Sequence, residues 1–140
     1  MIVVDTNVIG YLFLASPRSE QVERVFEIDP IWVAPRLWRS EFRNVLAKYL
    51  QAGYLGLTEA ITIMDRAEEL LSNGDYDVPS APVLALSHAS SSTAYDCEFA
   101  VLARDLGLQF VTVDRQILVH FPDIAISPQA YLESHPASDN

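Results

Sequence analysis

Four carboxylates stand where their spacing could do chemistry: Asp5, Glu41, Asp96 and Asp114. Asp5 closes the apolar run Ile2-Val3-Val4, and Asp114 closes the run Gln109 to Val113. Asp96 heads a helical stripe of Phe99, Ala100 and Ala103, at i+3, i+4 and i+7, that is otherwise apolar. Glu41 lies in the first turns of a long amphipathic segment, beside its apolar stripe of Trp38, Val45 and Tyr49, with Asn44 and Lys48 on its own face. Three or four carboxylates in one small pocket raise one another's pKa and need a counter-charge to stay ionised. Mg²⁺ or Mn²⁺ can supply it, because these hard cations prefer oxygen ligands and keep several waters. A cation so held lowers the pKa of bound water and stabilises charge on a phosphoryl oxygen. Phosphodiester hydrolysis is the chemistry that such a cluster best serves.

Each acid also has an ordinary reading. Asp5 and Asp114 precede helical patterns and suit N-caps. Thr93-x-x-Asp96 has the spacing of a capping box, and Glu41 has Arg39 and Arg43 nearby for ion pairs. The case for a shared site comes from the elements that carry all four.

Residues 2–4 read as a buried strand, 8–14 as a short helix and 19–28 as a helix with Val22, Val25 and Phe26 on one face. A second strand over 31–34 is closed by Pro35. A long helix over 36–51 stops at Gly53, and another over 58–72, capped by Thr58, stops at Asn73-Gly74. Residues 76–78 suggest a short strand, 82–90 and 95–106 helices, 109–113 a strand, 115–121 a helix and 124–126 an edge strand. Alternating strands and helices imply a three-layer α/β/α sandwich around a mostly parallel sheet. In such sheets ligands sit beyond the carboxyl ends of the strands, and the following helices start at that same edge. Two acids end strands and two lie in early helical turns, so all four can converge there.

At 140 residues the chain suits a single domain, taken as 1–133 with a polar tail over 134–140. The lone cysteine, Cys97, forms no internal disulfide and points to a reducing, cytoplasmic setting. No apolar run approaches the length of a membrane span, and no basic region precedes the N-terminus as in a signal peptide. The formal net charge is −10, from 19 acidic residues against nine basic ones, of which Lys48 is the only lysine. That balance disfavours nucleic-acid binding driven by bulk positive charge, and leaves Arg36, Arg39, Arg43, Arg104 and Arg115 as local phosphate contacts or ordinary surface residues. His88, His120 and His135 lack metal-ligand spacing. A Gly-rich phosphate loop and a Ser-His-Asp arrangement are both missing. Phosphotransfer folds that also place acids at strand ends need a lysine near a late strand, whereas Lys48 is mid-helix.

Three stretches carry a family resemblance: MIVVDTNVIGYL, RSEFRNVLAKYLQAG and TAYDCEFAVLARDLGLQFVTVD. They span almost the whole chain and resemble PIN-domain ribonucleases, in particular the VapC-like toxins of type II toxin–antitoxin pairs. The resemblance implies that Asp5, Glu41, Asp96 and Asp114 are the catalytic, metal-binding quartet. Thr6 and Thr112 match hydroxyls that steady the acids, and Asn7 and Asn44 match further family positions. Some relatives carry another Asp or Asn two residues after the last acid, where this chain has Gln116. The implied activity is endoribonuclease cleavage with Mg²⁺ or Mn²⁺, with a homodimer and a cognate antitoxin protein as partners. Two alternatives stand beside it: a free-standing PIN nuclease without an antitoxin, and a non-catalytic acidic module that docks a basic protein.

Overall fold

The computed structural model describes residues 1–136. Its elements run β1 (Ile2–Val4), α1 (Thr6–Phe13), α2 (Ser19–Ile28), β2 (Trp32–Pro35), α3 (Trp38–Gln51), α4 (Leu57–Leu70), β3 (Asp75–Tyr76), α5 (Ser80–Ser90), α6 (Ala94–Leu106), β4 (Phe110–Val111), α7 (Arg115–His120), β5 (Ala125–Ile126) and α8 (Pro128–Ser134). The five strands form one sheet in the order β3-β2-β1-β4-β5. Every pairing is parallel, with Val3 opposite Val33 on one side and opposite Phe110 on the other.

Parallel strands must be joined by crossovers, and these are right-handed. The chain steps from β1 to β2 to β3 in one direction, which puts α1 to α4 on one face. It then crosses back to β4 and β5, which puts α5 to α7 on the other. The packing agrees: α1 touches α2, α3 and α4, while α6 lies against β1, β2 and β4 and packs on α5. The reversal between β1 and β4 is the topological switch point of the sheet, where a crevice opens beyond the strand ends.

Burial on both faces explains the strand sequences. Val3, Val4, Val33, Ala34, Phe110 and Val111 are essentially inaccessible, so these strands read as continuous apolar runs without alternation. Trp38, Phe42 and Leu46 are the buried face of α3, which packs on α1 and α4, while Phe99, Ala100 and Ala103 belong to the buried face of α6, which lies on the sheet. Small residues on that α6 stripe let the helix approach three strands at once. Gly107, at φ +66°, ends α6 in the left-handed region that glycine enters without penalty.

Several boundaries differ from those expected. The first helix starts at Thr6, because Asp5 occupies the N-cap position. The long helix starts at Trp38, two residues late, and β3 lies at Asp75–Tyr76. Thr58 does not cap α4. Gly56 holds that position, and the Glu59 side chain accepts a bond from the Gly56 N–H at 3.2 Å. Helix α8 was not anticipated. Ser127 caps it through the Ala130 N–H, Pro128 sits in its first turn, and it packs on α2. Ser134 therefore closes a helix, while the polar tail over 137–140 lies outside the described residues. Among the described residues, no helix is long and apolar enough to cross a membrane.

Candidate active site

The crevice at the switch point is a cleft of about 250 Å³ lined by Asp5, Thr6, Asn7, Glu41, Asn44, Val45, Asp96 and Asp114. All four acids thus share one cavity, each delivered by a separate element. Parallel pairing carries Asp5 past β1: its N–H donates to Val111 O at 3.0 Å, so the carboxylate leaves the sheet beside the end of β4. Asp114 follows β4 and begins α7. Glu41 and Asp96 lie in the first turns of α3 and α6, which start at the same edge. Asn7 and Asn44 are exposed on the rim, while Thr6 and Thr112 are buried.

The capping readings divide cleanly. The Asp114 carboxylate does cap, with Oδ1 accepting from the N–H groups of Gln116 at 2.8 Å and Ile117 at 3.2 Å. Half of the expected capping box exists at α6, where Thr93 Oγ1 accepts from the Asp96 N–H at 3.1 Å. The Asp5 side chain makes no cap bond, although it stands at the N-cap position. Its Oδ2 instead accepts from the Thr112 hydroxyl at 2.7 Å. That same hydroxyl oxygen accepts from the Asp114 N–H at 3.1 Å, so one threonine ties two of the acids together. Glu41 pairs with neither arginine; its Oε1 accepts from the Thr6 hydroxyl at 2.8 Å. Arg39 is engaged elsewhere, by Asp75 and Glu68.

Asp75 anchors the start of α3. It accepts from Trp38 Nε1 and from the Arg39 guanidinium, fixing the turn from which Glu41 projects. The contact joins residues 36 and 37 positions apart in the chain, so no local pattern announces it.

Three of the acids titrate high. Burial pushes Asp5 up to about 6, opposed by the bond from the Thr112 hydroxyl and aided by the charges of Glu41 and Asp96. Burial also raises Glu41, with Asp96 and Glu98 adding repulsion and Thr6 opposing. Asp96 is raised by burial and by Asp114, with Thr93 opposing. Glu98 itself is raised by burial. Spacing had not singled it out, and its one sequence signal is that it follows Asp96 by two residues on α6.

This electrostatic strain tests whether a cation fits. The donors are all carboxylates with amide-bearing Asn7 and Asn44 beside them, an oxygen-rich set that suits a hard divalent ion and offers no soft ligand. Among the described residues, no three His, Cys, Asp or Glu side chains are already gathered into an ion-holding group. Asp5, Glu41, Asp96 and Asp114 are the residues that would hold such an ion, which usually keeps several waters of its own and so needs few direct carboxylate ligands.

The PIN domain family model matches residues 2–124. The chain belongs to the PIN-domain family. This PIN domain is 30% identical over 124 residues to Ribonuclease VapC3 of Pyrobaculum aerophilum, covering 86% of the chain and 95% of that relative. Its fold is similar to the crystal structure of PAE2754 from the same organism, with a TM-score of 0.75 at 20% identity over 98% of this chain and 90% of that one. It is also similar to a toxin–antitoxin complex from Klebsiella pneumoniae, with a TM-score of 0.65 at 15% identity over 91% and 98% of the two chains. The parallel three-layer architecture expected from the sequence is thus that of PIN domains. PIN-domain ribonucleases generally depend on divalent metal.

Proposed function

We propose that this PIN domain is a divalent-metal-dependent endoribonuclease, with Asp5, Glu41, Asp96 and Asp114 as its catalytic acids and Mg²⁺, or alternatively Mn²⁺, as the ion. The observation that carries the proposal is the meeting of four carboxylates from four elements in one cleft at the switch point. Membership of the PIN family and the likeness to a relative named as a ribonuclease supply the reaction class.

Asp5 and Asp96 would hold the principal ion, with Glu41 and Asp114 completing the site. Once bound, the ion supplies a water of lowered pKa and stabilises charge developing on the phosphoryl oxygen. The protein's own contribution is positioning. Thr112 fixes the Asp5 carboxylate and the backbone of Asp114, and Thr6 fixes Glu41 Oε1. Glu41 Oε2 accepts no hydrogen bond among the described residues, which leaves it free to take the proton of the attacking water. Arg36, Arg39 and Arg104 are paired with acids, whereas Arg43 and Arg115 are exposed without an ion pair among the described residues. These two, next to Asn44 and Asp114 in the chain, are the phosphate contacts of the proposal. Local arginines of this kind answer the −10 net charge, since the cleft needs cations only where the backbone passes.

The toxin reading adds partners: RNA as substrate, a cognate antitoxin as inhibitor and a second copy of the chain in a homodimer, all in the cytoplasm. It draws on the structural neighbour described as a toxin–antitoxin complex. Purified protein incubated with total cellular RNA and Mg²⁺ or Mn²⁺, followed by mapping of the new ends, tests the activity. Discrete metal-dependent cuts support it; unchanged RNA ends refute it. Co-purification with the product of a small upstream gene, with loss of cleavage, distinguishes a toxin pair from a free-standing nuclease. A protein that binds a basic partner but never cuts would be the acidic module instead.

A further inference from the structure

A second cavity adjoins the acid cleft. It is lined by Thr6, Asn7, Gly10, Tyr11, Leu14, Ser16, Val45 and Tyr49, and it shares Thr6, Asn7 and Val45 with the cleft. Both helices that flank it start at the strand-end edge, and they pack on one another. Along α3 the positions Glu41, Val45 and Tyr49 follow at i, i+4 and i+8, so one stripe runs from the acid cleft into this groove. Along α1 the positions Thr6, Asn7, Gly10 and Tyr11 do the same. Gly10 lies in the α1 wall, and the half-buried rings of Tyr11 and Tyr49 stand on opposite helices. Tyr49 meets Tyr54 edge-on at 6.0 Å between centroids, and Tyr54 is 77% exposed, so the aromatic surface continues outward.

No lining residue of the groove is charged, whereas the adjoining cleft carries four carboxylates. A phosphate would find no cation there. A flat neutral group finds aromatic side chains to stack on, with the exposed Asn7 amide to read its edge. Single-stranded RNA is bound in this manner, by stacking of splayed bases on aromatic side chains and hydrogen bonds to their edges. A polymer that presents a phosphate to the acids has the shared wall of Thr6, Asn7 and Val45 directly beside it, with the groove on its far side.

We propose that the groove between α1 and α3 is a nucleobase subsite that holds the base next to the scissile phosphate, with Tyr11 and Tyr49 as its stacking surfaces. This inference rests on the ribonuclease reading of the acid cleft. The subsite makes cleavage depend on an unpaired base at that position and gives the enzyme its local base preference. Both tyrosines are specificity residues, and neither touches the reacting atoms.

The test uses the wild-type chain and the variants Tyr11→Leu and Tyr49→Leu, with Tyr11→Phe and Tyr49→Phe as ring-retaining controls. RNA oligonucleotides built on a mapped cut site carry 2-aminopurine at each neighbouring position in turn. Stacking of one base is lost in the leucine variants, so KM rises about tenfold, kcat stays within about twofold, and base preference beside the cut relaxes. Both phenylalanine variants keep the wild-type KM to within a few-fold. Rapid mixing with the wild-type protein quenches 2-aminopurine at one flanking position before cleavage, a readout that needs no variant to fold. Intact cleavage with unchanged KM and no position-specific quenching overturns the subsite alone. So does a leucine variant that loses binding to a protein partner while its RNA kinetics stay unchanged, because the groove is then a peptide site. A wild-type protein that cuts no RNA overturns both the subsite and the reading beneath it.

Discussion

Replacing Asp5 with asparagine should stabilise the metal-free protein near neutral pH while removing a group placed at the centre of the site. Folding raises the Asp5 pKa from its ordinary 3.8 to about 6, so the folded state holds the proton more tightly than the unfolded chain. A raised acid contributes stability below its unfolded pKa and loses that contribution as pH climbs through its folded pKa. Between about pH 4 and pH 6 the wild type therefore loses roughly two pK units' worth of stability from this group, on the order of 3 kcal/mol. Above that window the cost is constant. Asparagine carries no charge to desolvate and its carbonyl still accepts from Thr112. Its new amide N–H groups need partners, which the open side of the cleft supplies as water. The net gain expected at about pH 7.5 is about 1–3 kcal/mol, a rise in Tm of roughly 3–10 °C for a domain of this size. Thermal or urea unfolding in EDTA, across about pH 4–8, measures it. The variant's stability should fall less steeply than that of the wild type, with Glu41, Asp96 and Glu98 leaving a residual slope of the same sign. A variant that melts several degrees lower at neutral pH, or that tracks the wild type in parallel across the whole range, would refute the electrostatic reasoning.

Asp114 separates its two roles by substitution: Asp114→Asn should keep the cap of α7 and lose cleavage, whereas Asp114→Ala should lose cleavage and also about 1 kcal/mol of stability, read by parallel melts and assays. Thr112→Val removes the hydroxyl that donates to Asp5 and accepts from Asp114. The Asp5 titration followed by NMR in the metal-free protein should then move upward, with about 1–3 kcal/mol of stability lost. Gly74→Ala should destabilise the fold without addressing the site directly, because the added Cβ would drive into the Trp32 backbone where β3 enters the sheet. A loss of about 2 kcal/mol or more in denaturant unfolding is expected, and a neutral result would mean that the β2–β3 edge yields.

The strands and the helix stripes were legible because burial on both faces writes continuous apolar runs, and because helices buried on one face repeat at i, i+3 and i+4. Those two patterns alone bring the four acids to one edge. Local spacing could not say which acids cap and which do not: Asp5 and Asp114 look alike in sequence, and only Thr112, more than 100 residues from Asp5, turns the Asp5 carboxylate away from its helix. Asp75 was invisible as the anchor of Trp38 and Arg39 for the same reason. Helix α8 had a readable start in Ser127-Pro128, but its short apolar content resembles a tail until α2 is there to receive Tyr131 and Leu132. The groove along α1 needed both helices side by side, since Tyr11 and Tyr49 belong to different apolar stripes.

The central claim is that the four carboxylates hold a divalent ion that cuts RNA, and cleavage of one mapped RNA substrate tests it most directly. Wild-type protein, Asp5→Asn and EDTA-treated wild type should be compared at equal concentration, with Mg²⁺ and Mn²⁺ titrated back into the last. Cleavage that disappears with EDTA, returns on adding either ion and is lost by at least about 100-fold in Asp5→Asn is the predicted result. Cleavage that persists in EDTA, or at full rate in Asp5→Asn, would contradict the account.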